Sequence, residues 1–377
     1  MTKRDYVRFG VDVLISRGFK VYSLELTGLL NPEYLPLDES DYPHRIKITS
    51  KDEFYGFFKE HPDCLVIDFI QASPGTLFIY KFFRQQNICY ATFCSGGIPL
   101  PKKGEDKRAQ LVRVIKALSG LGGQSLKDSW GKLCYFMPSW LSQIQHPSFL
   151  LSSAYQCRQA LPKPTALTQT IWTHTLDYDI YLQQKDQPPL VGKYAVLIDE
   201  YLPYHPDFSL KGNLNVHLNP SKYYQGMNVF LNWFEKTYQM PVKIAAHPSS
   251  QYDQRPECFP GREISKGKTA ELVKGAQCVF THYSTAINFA VLYRKPIVFL
   301  TSDEINESPI KEMIDCFAGA FHQGLLNIDE PESYQVNCQL NVNDQYYQEY
   351  KIDYIKTPDS PDKFFWEIVA DHFEEAL

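Results

Sequence analysis

The sequence predicts an α/β protein made of two doubly wound, parallel-sheet domains. Three observations predict it. Through residues 242–300 short apolar runs alternate with helical stretches, the pattern of parallel βαβ units in an open sheet. A similar alternation occupies residues 19–94. Between the two, a polar, Pro-containing link near residue 190 divides 1–190 from 191–377, in a chain of 377 residues.

In chain order, residues 5–18 read as a helix with Val7, Val11, Val13, Leu14 and Ile15 on one face, stopped by Gly18. FKVYSLEL, HRIKITS and Asp63 to Ile70 read as strands, with helices over 51–60 and 75–85 and a further strand over 88–93. After that strand, Ser95-Gly96-Gly97 offers a backbone that can approach a ligand closely, with a plain loop as the equal alternative. Lys102, Lys103, Lys107, Arg108, Arg113 and Lys116 form the one basic cluster. A solvated helix face is its default reading; contact with an anionic acceptor or the inner membrane surface is the sharper one. FLLSSA reads as a strand, and Thr173 to Leu190 leads into the link.

Composition sets bounds. Apolar content of 44% and charged content of 21% fit a globular protein. A net charge of −5 argues against a nucleic-acid partner. The start, MTKRDYVRFG, lacks the apolar core of a signal peptide, and no stretch approaches the ~20 apolar residues that span a bilayer. Nine cysteines without metal-ligand spacing point to reduced thiols in the cytoplasm and against structural zinc. Cys64, Cys89 and Cys278 are expected inside strands. The 25 Tyr and 24 Phe are read first as core.

In the second half, the strand AVLI delivers Asp199 and Glu200 to its carboxyl end, with His205 and Asp207 just beyond. A helix over 222–238 returns the chain to the run ending at His247-Pro248, followed by Ser249 and Ser250. Then come Lys266 to Thr269 before a helix over 269–276, a strand over 278–281, His282 to Thr285 opening a helix to Tyr293, and a strand over 296–300. Ligands of such sheets bind beyond the strands' carboxyl ends. Ser284 or Thr285 at a helix start suits a phosphate, and His247, Lys266 and Lys268 add donors or charge. Each piece alone has a plain reading as an N-cap, a loop or a solvated lysine; their order along one sheet edge joins them. An acidic pair at a neighbouring strand end is where a general base belongs. Residues 330–360 show no clear pattern, and Phe364 to Leu377 is a terminal helix with Phe364, Ile368, Val369 and Phe373 on one face.

The acidic pair, the His-Pro and the hydroxyl pair together resemble the motifs of bacterial sialyltransferase-type glycosyltransferases. Their acidic-acidic-Gly, HP and Ser/Thr motifs would correspond here to Asp199-Glu200, His247-Pro248 and Ser284-Thr285. Tyr201 stands where the motif has Gly. The resemblance is most specific over about 194–300. It implies the GT-B arrangement, two Rossmann-like domains facing each other across a cleft, with the terminal helix packing back on the first. It also implies inverting transfer of a nonulosonate sugar from a CMP donor to a bacterial surface glycan or glycolipid, without cofactor or catalytic metal. On it, Asp199 or Glu200 is the base. A position-by-position match favours Glu200 and the strand end favours Asp199, which is preferred slightly. His247, Pro248, Ser249, Lys268, Thr269, His282, Ser284 and Thr285 hold the nucleotide phosphate; Ser95, Gly96, Gly97 and His205 lie on the acceptor side. The rival readings are a CMP-Kdo, CDP-polyol or UDP-hexose transferase (Glu304 being the one candidate to grip a UDP ribose), a non-catalytic binding protein, and a nucleotide-sugar epimerase.

Overall fold

The structure, a computed structural model, describes residues 3–33, 44–70, 72–94, 96–101, 130–156, 161–205 and 218–376. The fold is α/β with parallel sheets. The first large sheet holds β3 (Val66–Asp68), β4 (Tyr90–Cys94), β5 (Phe149–Ser152) and β6 (Gln169–Trp172), paired in chain order and all parallel. The second holds β7 (Ala195–Ile198), β8 (Val242–Ala246), β9 (Ile264–Lys266), β10 (Val279–Thr281), β11 (Ile297–Thr301) and β12 (Leu325–Asn327) in the order β12-β11-β10-β7-β8-β9. From β7 the chain moves outward through β8 to β9, then returns to β7's other side at β10. The strand order therefore reverses between β7 and β10, and among the described residues only there. Loops leaving the two strands diverge at such a point and open a crevice.

Local sequence explains the second sheet. All four β7 residues are buried, as a central parallel strand requires. Ala195 and Leu197 point into the core under α5 (Pro220–Tyr238), while Val196 and Ile198 point into the opposite one. Helix α5 begins at Asn219, whose side chain accepts from the Lys222 N–H, with Pro220 in the first turn. It buries Tyr223, Met227, Phe230 and Phe234.

Several expectations are corrected. The N-terminal helix is two pieces, Lys3–Arg8 and α1 (Val11–Ser16), broken at Gly10 with φ +65°; Val11 and Leu14 are buried and Val7 is exposed. FKVYSLEL and HRIKITS contribute only β1 (Ser23–Glu25) and β2 (Arg45–Lys47), a separate two-stranded parallel sheet. Cys64 and Cys89 precede β3 and β4 rather than lying in them, and Cys89 is exposed; Cys278 precedes β10 and is buried. Within 334–355, residues Tyr334–Asn337 and Asp344–Ile355 are helical, including α9 (Asp344–Tyr350), which buries Tyr347 and Tyr350. Strands β6, β9 and β12 are three or four residues long, too short for a periodicity to register. Ser95, Asp207 and the basic cluster from Lys102 to Lys116 lie outside the described residues.

The two halves interlock. Helix α4 (Leu176–Gln184), on the N-terminal side of residue 190, packs through Tyr178 into the second sheet's core, and Asn288 Nδ2 donates to Asp177 at 2.8 Å. In exchange the terminal helix α10 (Phe365–Ala376) packs on the first sheet. Its buried face holds Phe365, Trp366, Ile368, Val369 and Phe373, whereas Phe364, expected on that face, is partly exposed. Burial at about 1.5–3 kcal/mol per large apolar side chain makes this docking comparable with the net stability of a whole domain, about 5–15 kcal/mol. The Trp366 indole N–H donates to the Arg8 carbonyl at 2.9 Å, joining the chain's two ends.

That junction gives a test. A Cβ on Gly10 would stand 2.1 Å from Trp366 Cγ, whereas Gly18 (φ +89°) has nothing within 4 Å. Gly10→Ala combines left-handed backbone strain with overpacking and should cost about 2–4 kcal/mol. Gly18→Ala carries the strain alone and should cost about 1–2 kcal/mol. Denaturant unfolding of both variants measures the difference.

Candidate functional site

The loops that leave β7 and β10 are held together by one carboxylate. Glu200 sits two residues past β7 and is 6% exposed. Its Oε1 accepts from Thr281 Oγ1 (2.6 Å), the His282 N–H (3.0 Å) and the Tyr283 N–H (3.2 Å). Its Oε2 faces His282 Nδ1 at 2.8 Å. Burial alone would raise the Glu200 pKa, but the His282 imidazole and these donors outweigh it, and the pKa lies below the ordinary value. His282 is itself fully buried, with Nε2 3.5 Å from the Tyr223 hydroxyl. The ring thus spans the two, with Nδ1 toward Glu200 and Nε2 toward that tyrosine.

Asp199, one residue earlier, points the other way. It is 3% exposed and accepts from the Tyr201 N–H (3.1 Å) and the Tyr252 hydroxyl (2.8 Å). Burial, with a smaller contribution from the neighbouring Glu200 charge, pushes its pKa up to about 7 against the pull of Tyr252. The Tyr252 hydroxyl lies 3.1 Å from that of Tyr224. Tyr224 lines a cavity of about 270 Å³, shared with Tyr204, Ser221, Asn228 and Glu257, between the first turns of α5 and the turn Pro256–Cys258. A chain of hydroxyls thus runs from Asp199 to this cavity.

His247 and Pro248 follow β8 directly, and His247 is half-buried. Its Nδ1 accepts from the Ser249 N–H at 3.2 Å, which places the ring proton on Nε2. Its ring packs on that of His205, centroids 4.9 Å apart. Ser249 is exposed. The Lys266 ammonium, at the end of β9, donates to the Ser250 carbonyl, tying the loop after β8 to that strand. Lys268 is exposed and caps α6 (Thr269–Gly275), so Thr269 is its first residue.

Ser284 and Thr285 do not head the next helix. They form a turn in which Ser284 Oγ accepts from the Ala286 N–H at 3.3 Å, and α7 (Ile287–Leu292) starts later. Thr285 is exposed and Ser284 half-buried. Helices α6 and α7 are seven and six residues long, too short to bring much dipole to an anion. The donors that this edge offers an anion are therefore side chains and loop amides.

Strand spacing sets the width of the site. His247 follows β8 and Ser284 follows β10, the two strands that flank β7 at two spacings or roughly 10 Å from each other. That span suits a nucleotide lying across the edge better than a bare phosphate. Lys268 and Thr269, after β9, stand one strand further out. Gly96 and Gly97 follow β4 of the first sheet; Gly96 has φ +73°, and Ile98 just beyond packs against the second sheet's core.

Sequence reasoning missed three groups: Tyr252, Tyr224 and Arg255. Arg255 Nη1 donates to the Tyr201 hydroxyl at 2.8 Å, its guanidinium lies 4.3 Å from the Tyr204 ring centre, and it forms no ion pair among the described residues. Its position in the loop after His247-Pro248 was the available signal. Glu304 Oε2 accepts from the Asn219 N–H at 2.9 Å, which turns it toward the start of α5. Among the described residues no group of three or more His, Cys, Asp or Glu side chains is placed to hold a metal ion.

No family model matches the chain, and no curated protein matches it. Among solved structures it is similar to the UDP-GlcNAc 2-epimerase of Methanocaldococcus jannaschii, with 12% identity, a TM-score of 0.40, and 86% of this chain and 79% of that one covered. It is similar to the calicheamicin glycosyltransferase CalG4, with 11% identity, a TM-score of 0.41, and 97% and 88% covered. It is also similar to Acinetobacter baumannii MurG, with 11% identity, a TM-score of 0.40, and 97% and 93% covered. Likeness at this level says nothing of substrate or reaction.

Asp199 gives a stability prediction. Its folded pKa of about 7 lies above the unfolded value, so between about pH 4 and 7 the folded state keeps a proton that the unfolded chain has released. This group's contribution to stability therefore falls as pH rises through that window and is flat above it. Asp199→Asn keeps an acceptor for Tyr252 without the titration. The variant's Tm relative to the parent should rise from pH 5 to pH 8, as followed by thermal unfolding.

Proposed function

We propose that the protein is an inverting glycosyltransferase that moves a sialic-acid-like sugar from a CMP donor to a hydroxyl of a surface glycan or glycolipid. The carrying observation is the arrangement about β7. His247 stands on one side and the Tyr283–Thr285 turn on the other, while Asp199 lies beneath and connects through Tyr252 to a cavity lined by Tyr224.

In this reading the bond between the donor's anomeric carbon and its phosphate oxygen breaks through an oxocarbenium-like state. The His247 Nε2–H, the Ser284 and Thr285 hydroxyls and Arg255 stabilise the charge growing on the leaving phosphate. The acceptor oxygen attacks from the opposite face. Its proton passes to Tyr224 while each tyrosine hands its own onward, so that Asp199 gains one. A carboxylate with pKa near 7 is a matched base at neutral pH. Glu200, saturated by four contacts and with a lowered pKa, is a poorer one and acts as a positioning residue for His282 and the turn after it.

One observation pulls the other way. Tyr201, which stands where the resembled motif has Gly, adopts φ +56°, the left-handed conformation that favours glycine. That supports a residue-by-residue match of the motif, on which Glu200 would be the base. The chemical environments favour Asp199, and we assign it. The CMP donor rests on the motif resemblance, supported by the engagement of Glu304 with α5. Gly96, Gly97 and His205 are assigned to the acceptor side, and the enzyme to the cytoplasm.

Thermal-shift measurements with CMP, CDP, UDP and GDP test the donor. CMP should raise the Tm most, and His247→Ala should remove the shift. A larger shift with UDP would replace the CMP reading, and no shift with any nucleotide would remove the transferase reading. For the base, Asp199→Asn should lower kcat by about a hundredfold or more while CMP still binds. Tyr252→Phe, which cuts the hydroxyl chain, should lower kcat with little change in nucleotide affinity. Full transfer by Asp199→Asn alongside none by Glu200→Gln would reverse the assignment.

A further inference from the structure

The first half carries an apolar surface unrelated to the crevice. Within residues 130–141, Trp130 (53% exposed), Leu133, Phe136, Trp140 (73% exposed) and Leu141 are all open to solvent. Single exposed apolar residues are ordinary, but five large ones within twelve positions are not. Trp130 and Leu133 lie on a helical turn over 130–134, Phe136 in the turn that follows it, and Trp140 and Leu141 on the short helix Ser139–Ser142. The base beneath is fixed. Cys134, Tyr135 and Ile144 are buried, and the Tyr135 hydroxyl donates to the Ser73 carbonyl at 2.7 Å.

The charged residues of this stretch of chain have one sign. Although the chain carries 43 acidic residues in 377 positions, none falls between residues 129 and 176. Lys132 and Lys163 are exposed; the Lys163 N–H donates to the Tyr135 carbonyl at 3.0 Å, and Lys81 lies beside Cys134. We propose that residues 130–141 dock on an anionic bilayer surface, with Trp130, Phe136 and Trp140 entering the headgroup region and Lys132 and Lys163 meeting lipid phosphates. Tryptophan with an apolar body and a polar N–H suits that depth, and each nearby lysine adds attraction to anionic lipid. A second copy of the chain is a poorer occupant, because a self-complementary pairing brings the exposed Lys132 and Lys163 against their own copies. No helix among the described residues is long and apolar enough to cross a membrane, so the association is peripheral.

Flotation of the full chain with vesicles tests this independently of nucleotide binding. Vesicles containing phosphatidylglycerol should carry the protein up the gradient, phosphatidylcholine alone should not, and added salt should release it. The double variant Phe136→Ser, Trp140→Ser should partition about tenfold or more weakly. Lys132→Glu should partition several-fold more weakly. Unchanged far-UV circular dichroism and Tm establish that the variants fold. Failure of the parent to bind phosphatidylglycerol vesicles would overturn the proposal, as would parental binding by the double variant. A concentration-dependent dimer that the double variant abolishes would assign the surface to a second copy instead.

Discussion

The contact between Glu200 and the end of β10 is the constraint on which the second half depends. Within a parallel sheet, backbone hydrogen bonds hold neighbouring strands in register. Beyond the strand ends at a reversal of strand order the loops part, and that ladder stops. Glu200 reaches across the gap from β7 and gathers a hydroxyl, two backbone N–H groups and an imidazole of residues 281–283. A buried carboxylate is tolerable only when its lone pairs are filled in this way. The same saturation that makes it a good brace removes it from proton chemistry.

Asp199 shows the complementary case. Adjacent in sequence, the two acids leave β7 in opposite directions and meet opposite surroundings. One finds donors for nearly every lone pair; the other lies among aromatic rings and has a backbone N–H and a single hydroxyl as partners. Their pKa values move apart accordingly, one down and one up to about 7. Pairs of carboxyls separated in this way by environment are how a single pocket obtains a brace and a base at neutral pH. Where His247 and the 283–285 turn stand depends on the strands themselves. In the proposed reaction the nucleotide edge is therefore set by sheet order, and the base by side-chain burial.

Long, regular stretches were legible in the sequence. Helix α5, strands β7, β8 and β11 and the terminal helix are each read from apolar periodicity, because each buries a continuous face. Short elements were not, since three residues of β9 or β12 carry no period. In the terminal helix Ile368, Val369 and Phe373 are buried as expected, but Phe364 lies one residue before the helix begins and is partly exposed, and Phe365 takes its place against the first sheet. At the site, the strand-end residues could be named from order alone. The inward turn of Asp199 and Glu200 could not, since it depends on β7 being central in the sheet. Tyr252 and Tyr224 escaped notice because tyrosines are common in this chain and nothing local separates a core ring from one whose hydroxyl holds a carboxylate. The hydroxyl pair was misplaced by two residues: Ser284 and Thr285 form a turn before α7 rather than its first residues.

A crystal structure of the protein with CMP bound tests the central claim most directly. The account predicts the phosphate at the carboxyl edge of the second sheet, across β7, within hydrogen-bonding distance of His247 Nε2 on one side and of the Tyr283–Thr285 turn on the other, with Glu200 still holding His282. CMP bound at the first sheet, or at the second sheet touching neither His247 nor that turn, would contradict it.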